Sequence, residues 1–156
     1  FLSRIIPYLQ SAGVIGGSLT DREKEILNQA APLIQERVTV LSEAPELLGF
    51  LFVSAEEIKV AEDALTGMPE NVAQVLAAAI KTLEQISVES FTTANIQDLL
   101  NKELIEVLGL KPRLAFGPLR SGISGRRISP PLFESMEILG KTETLKRLES
   151  FARLVG

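Results

Sequence analysis

Cysteine, histidine and tryptophan are all missing from these 156 residues. Without cysteine there is no disulfide, no thiolate metal site and no sulfur nucleophile. Without histidine, the usual general base and the commonest transition-metal ligand are gone as well. Catalytic chemistry is scarce, and a cysteine-free chain suits a reducing compartment, so the expected location is the cytoplasm. Long apolar runs are also lacking. "LLGFLFV" (47–53) and "VLAAAI" (75–80) fall well below the roughly 20 residues that cross a bilayer, and no membrane partner is expected. The opening "FLSRIIPYLQ" carries neither an initiator methionine nor a basic leader, and it reads as a chain entered partway through, a fragment.

What is present begins with charge. The net charge of -4 conceals an asymmetry: residues 1–110 hold 7 Lys+Arg against 16 Asp+Glu, whereas residues 111–156 hold 9 against 4. Phosphate attraction acts through local charge, so a basic end on an acidic body points to a polyanionic partner for that end alone.

Hydrophobic spacing is helical wherever it can be read, and no stretch alternates apolar and polar residues over a strand's length. The expected fold is all-α, a compact helical bundle in two small subdomains, 1–54 and 55–156. A helix over 1–12 closes at Gly13, and "TDRE" makes a capping box of Thr20 and Glu23. Pro32 suits the first turn of a next helix, with Leu33, Ile34, Val38 and Leu41 as its buried stripe. "SAEE" repeats the capping-box pattern ahead of "IKVAEDAL". The clearest amphipathic helix lies between Pro69 and Ile86, and the next is capped by Thr92 or Thr93, with Ile96, Leu99, Leu100, Leu104, Val107 and Leu108 inward and Gly109 past its end. Leu145, Leu148, Phe151, Ala152 and Val155 form a last stripe.

Two features invite chemistry and do not sustain it. The acidic pairs Glu56-Glu57 and Glu62-Asp63 have the ligands for Mg²⁺, yet they sit in one short segment without a partner motif, as solvated faces do. "SAGVIGGSLT" is glycine-rich, but it lacks the GKS or GKT ending of a phosphate loop and follows a helix instead of a strand.

Residues 111–133 are different. They carry Lys111, Arg113, Arg120, Arg126 and Arg127, and the first acid is Glu134. A guanidinium grips phosphate in a bidentate fork and stacks on bases, which suits RNA. Ser129 and Pro130 form a good N-cap and N1 pair, so "SPPLFESMEIL" should open a helix whose free amides lie beside the arginines. The two prolines would stiffen a ledge on which Leu132 is the residue expected to be exposed and Phe133 the one expected in the core. Equally, both could fill the core while the arginines merely keep the surface soluble. Residue chemistry alone leaves these two readings level.

"LGLKPRLAFGPLRSGISGRRISPPLFESMEILGKTETLKRL" resembles the C-terminal signature of bacterial glutamyl-tRNA synthetases of the actinobacterial type, and "APLIQERVTVLSEAPELLGFLF" is similar to an earlier helical segment of the same family. The resemblance implies the helical anticodon-binding region of such an enzyme, without the nucleotide-binding catalytic domain; no HIGH-like or KMSKS-like motif is present. It implies no cofactor for these residues and ATP with Mg²⁺ for the full-length glutamate ligase. It implies tRNA(Glu) as partner, with tRNA(Gln) as the second candidate, no DNA, and a monomer. By motif position it places Arg120, Ser129, Pro130, Leu132 and Phe133 at the anticodon bases, and Arg37 in the helix from which some members read the third base. Lys111, Arg113, Arg126 and Arg127 are added from charge as RNA backbone contacts. The sequence departs from the family at Phe91, near a usual tryptophan, and at Ser121-Gly122, where an apolar pair is usual. The rival expectation is a helical protein-interaction module whose basic end docks an acidic partner.

Overall fold

The computed structural model describes residues 1–126 and 129–156. Eight α-helices are found among them and no strand: α1 (Leu2–Ser11), α2 (Asp21–Ile34), α3 (Ala44–Leu48), α4 (Val72–Glu84), α5 (Thr93–Leu100), α6 (Pro112–Ser124), α7 (Leu132–Leu139) and α8 (Lys141–Val155). Short 3-10 turns link the helices between 41 and 65, and a π-helical stretch, Asn101–Val107, continues α5. None of the described helices is long and apolar enough to cross a membrane.

Local chemistry explains the well-formed ends. Thr20 caps α2: its hydroxyl accepts the Glu23 N–H at 3.0 Å, and the Glu23 carboxylate accepts the Thr20 N–H at 2.8 Å. Thr92 caps α5 through the Asn95 N–H, and the Glu137 carboxylate of α7 accepts the neighbouring Thr93 N–H. Ile5 and Leu9 of α1, Ile34 of α2, and Val75, Leu76, Ala79 and Leu83 of α4 are fully buried, as their spacing requires. One hydrophobic cluster runs from Ile5 to Phe151. The expected division near residue 55 is crossed by hydrogen bonds from Arg22 to the Ile138 carbonyl (2.8 Å) and from Arg147 to the Val53 carbonyl (2.7 Å).

Three segments differ from the sequence expectation. Pro32 lies inside α2 instead of opening a new helix. It forfeits one backbone hydrogen bond there, while Ala30, Ala31 and Ile34 are buried around it, and that burial decides the outcome. The "SAEE" segment closes only a 3-10 turn, Ala55–Glu57, and the chain then runs extended before a second 3-10 turn at Glu62–Leu65. Extension is needed because this strip lies against the end of α6: the Ala61 N–H donates to the Gly125 carbonyl at 2.8 Å. Gly125 has φ +75, and a Cβ there would sit 2.5 Å from the Lys59 carbonyl oxygen, so only glycine fits. Finally, the π-helical stretch turns the last part of the α5 stripe outward. Ile96, Leu100 and Leu104 are buried, whereas Val107 is exposed; Leu99, ahead of the π-helical stretch, is exposed because it lies off the Ile96–Leu100–Leu104 line.

Arg147 of α8 is the largest buried polar side chain, 2% exposed. Its guanidinium donates to the Ile123 carbonyl at the end of α6 (2.8 Å), to the Val53 carbonyl (2.7 Å) and to Glu143 one turn back (3.0 Å). Burial pushes its pKa below the ordinary arginine value, and the Glu143 hydrogen bond and charge oppose that shift. Arg147→Ala is expected to destabilise the chain by about 3 kcal/mol, since two carbonyls lose their donor and a cavity opens. Arg147→Lys should recover only part of this, because an ammonium lacks the planar fork. Urea unfolding of the three proteins would measure both effects.

Candidate nucleic-acid interface

The basic segment is carried on α6 and on the chain that leads into α7. Pro112 opens α6 at its first position, with Lys111 as an exposed N-cap and Arg113 exposed in the first turn. Seven residues on, Arg120 is half-buried on the same helix face. α6 ends in a left-handed Gly125, whose N–H donates to the Ser121 carbonyl at 2.8 Å. Ser124 stiffens the exit, with Oγ 2.9 Å from the Arg120 carbonyl and accepting the Arg126 N–H at 3.1 Å.

Arg37 and Ser129, distant in sequence, come together. The Arg37 guanidinium donates to the Ser129 carbonyl at 3.2 Å, which ties the end of α2 to the segment before α7. Arg120 is desolvated, and secondarily feels the like charge of Arg37; both effects hold its pKa below the ordinary value. The guanidinium remains charged at neutral pH. Among the described residues, the ion pairs are Arg22–Glu25, Arg126–Glu46 and Arg147–Glu143, and neither Arg37 nor Arg120 takes part in one. Clustered like charges with one desolvated member are the electrostatic preparation for an anion.

The structure corrects several expectations about individual residues. Arg37 stands in the turn just beyond α2, its N–H bonded to the Ile34 carbonyl at 2.8 Å, and not within the helix. Ser129 is not the cap of α7. The helix begins at Leu132 with Pro131 at its N-cap position, because Pro131 bars its predecessor Pro130 from helical backbone angles. Instead the Ser129 hydroxyl donates to the Pro130 carbonyl at 3.1 Å. Pro130 is buried. Leu132, expected to be exposed, is 2% exposed, and Phe133, expected in the core, is the half-buried one. Helical spacing is the reason: Leu132 shares the inward stripe with Ser135 and Met136. Phe133 instead stands edge-on to Phe116 of α6, with ring centroids 5.3 Å apart and planes at 87°.

The remaining cations are not gathered at one point. Arg126 faces Glu46 at 3.7 Å and lines a separate hollow with Lys59 and Glu57. The pair is well exposed, and such pairs contribute little. Arg127 lies outside the described residues. No group of three or more acidic side chains among the described residues is placed to hold a metal ion.

Sequence reasoning missed a cavity of about 190 Å³ beside Arg120. Arg113, Gly117, Arg120 and Ser121 form its α6 wall, and Thr66, Gly67 and Met68 form the opposite one. The Ser121 hydroxyl donates to the Ala64 carbonyl at 2.8 Å and so fixes the second wall to the first. The adjacent Gly122 leaves room for Phe151, since a Cβ there would lie 3.1 Å from Phe151 Cβ. The unusual Ser121-Gly122 pair thus does two packing jobs. Phe91 is buried, in keeping with a packing role at that departure. A glycine at 117, one turn from an arginine on either side, was the only sequence trace of the cavity.

Comparison with known proteins matches this architecture. The family model described as "Anticodon binding domain" matches residues 1–152. The glutamate–tRNA ligase of Paenarthrobacter aurescens (strain TC1) is 56% identical over 151 residues, 97% of this chain and 29% of the relative. That of Leifsonia xyli subsp. xyli (strain CTCB07) is 48% identical over 156 residues, 100% of this chain and 32% of the relative. The chain therefore spans about three tenths of the length of these curated relatives. In fold it is similar to a glutamate tRNA ligase from Elizabethkingia meningosepticum CCUG26117, solved in complex with its amino acid, with a TM-score of 0.76 at 20% identity over 99% of this chain and 29% of that one. A helical bundle that gathers Arg37 and Arg120 beside the entry to α7, matched by that family model along nearly its whole length, belongs to the anticodon binding domain family.

Proposed function

We propose that this chain is the anticodon-binding part of a glutamate–tRNA ligase and holds the anticodon loop of tRNA(Glu). The observation that carries this reading is the hydrogen bond from Arg37 to the Ser129 carbonyl, with the desolvated Arg120 near enough to feel the Arg37 charge and neither arginine in an ion pair among the described residues. RNA loops are read by splaying unstacked bases onto arginine planes and aromatic faces, and here Arg37, Arg120 and the half-buried Phe133 are the surfaces available. Leu132 and Pro130 act from behind, by fixing the backbone that presents Ser129 and Phe133. Lys111, Arg113 and Arg126 contact phosphates, which provide affinity while base contacts provide selection. Under this reading ATP, Mg²⁺ and glutamate engage another part of such a ligase, which works as a monomer in the cytoplasm. The choice between tRNA(Glu) alone and tRNA(Glu) with tRNA(Gln) rests, under this reading, on Arg37 as the reader of the third anticodon base.

Titration of the chain with the tRNA(Glu) anticodon stem-loop, and with one whose anticodon is changed, tests this reading. The cognate loop should bind more tightly; equal affinity for both would leave the protein-interaction alternative. Arg120→Ala should weaken the cognate loop by about 1 to 3 kcal/mol and shrink the preference between loops. Arg126→Ala should weaken both loops by a similar factor and flatten the dependence of log Kd on log salt by about 0.7, the slope of one phosphate contact on single-stranded RNA. A loss confined to one anticodon would assign Arg126 to base reading instead.

A further inference from the structure

The turn that carries Arg37 receives little help from the core. Gln35, Glu36, Arg37, Thr39 and Val40 are all exposed, Val40 at 54%, and only Val38 and Leu41 rest on the core. Hydrogen bonds therefore set the path of the backbone here. The Arg37 and Val38 N–H groups both donate to the Ile34 carbonyl, at 2.8 and 3.1 Å. The next amide, that of Thr39, donates instead to the Glu43 carboxylate at 2.9 Å, while the Glu43 N–H donates to the Val40 carbonyl at 3.1 Å. One acid thus closes the loop 39–43 through both its side chain and its backbone. Two simpler roles do not account for it. Thr39 is exposed, so water could take its N–H, and the bond rescues no buried donor. Glu43 also stands at the N-cap position of α3, yet its carboxylate makes no cap hydrogen bond to that helix and reaches back to Thr39. What it holds is the chain leaving Arg37, whose guanidinium is held from the other side by the Ser129 carbonyl at 3.2 Å.

We infer that Glu43 is a positioning residue for anticodon reading: by accepting the Thr39 N–H, it fixes the turn on which Arg37 meets the third anticodon base. This rests on the RNA-binding reading above and adds to it an acid that touches no RNA. It also runs against simple electrostatics. A carboxylate six residues from a cationic reader repels the phosphates of an approaching loop, so on charge alone the chain would bind RNA better without it. Its benefit is order before binding. A side chain presented by a fixed backbone loses less freedom when a base arrives, and reading one base requires direction where a phosphate contact requires only charge.

Two substitutions separate the hydrogen bond from the charge. Glu43→Ala and Glu43→Gln remove the same negative charge, but the glutamine amide oxygen can still accept the Thr39 N–H. Both variants and the unmodified chain are titrated with the tRNA(Glu) anticodon stem-loop and with stem-loops changed at the first, middle or third anticodon base. In Glu43→Ala the preference at the third base should shrink about tenfold, the order of one lost base contact, while the preferences at the other two bases stay as in the unmodified chain. Glu43→Gln should keep the third-base preference and bind every loop at least as tightly as the unmodified chain. Amide hydrogen exchange of the free proteins should show a faster Thr39 N–H in the alanine variant alone. A glutamine variant as unselective as the alanine one, unchanged Thr39 exchange in the alanine variant, or a loss at the first or middle base, including a loss at all three as general loosening would give, overturns the assignment. If the unmodified chain ranks all the loops equally, the RNA-reading proposal fails and the positioning role with it; if it ranks them and Glu43→Ala ranks them identically, only the positioning role is lost.

Discussion

The buried guanidinium of Arg147 is the interaction on which the placement of the basic surface depends. It is one of few groups able to donate several hydrogen bonds in a plane, and it uses them on carbonyls from two distant parts of the chain, Val53 and Ile123, while Glu143 balances its charge. Taking a charge out of water is unfavourable unless each donor finds a partner. The arrangement is therefore all-or-none, and the end of α6 and the turn before Ser54 are fixed relative to α8 together. Everything that presents Arg120, Ser124 and Gly125 follows from that placement. The backbone contact of Ala61 with Gly125 then ties the extended 58–61 strip to the same point.

Against this rigid frame the basic residues fall into two kinds. Arg126 has an acid nearby and an exposed head, so its charge is already partly answered and easily released. Arg37 and Arg120 repel each other, and the desolvation of Arg120 makes that repulsion less screened than it would be in water. Folding tolerates the unfavourable pair because the core around it is extensive.

Much of this was legible in the residues. The Thr20–Glu23 box, the α4 stripe and the glycine stop at Gly109 are set by spacing within one helix turn, and local physics decides them. The charge of the basic run 111–133 could be counted without a fold, because charge is additive. What could not be read was whatever depends on a second segment. The 58–61 strip carries a helical pattern but is extended, because α6 offers its backbone a partner at Gly125. Leu132 and Phe133 exchange their expected exposures because the inward face of α7 is chosen by its neighbours and its start is set by Pro131. Arg37 lies 92 residues from the Ser129 carbonyl it holds, and no local pattern announces such a meeting.

The glycines of α6 show where the two kinds of information join. Each of Gly117, Gly122 and Gly125 is a departure from helix propensity, and composition alone cannot rank them. Tertiary structure accounts for two, through Phe151 and through the Lys59 carbonyl, and the third directly precedes Pro118 inside α6, where the proline ring disfavours helical angles in any predecessor that carries a Cβ. Local chain chemistry explains Gly117, and only the packed structure explains the other two.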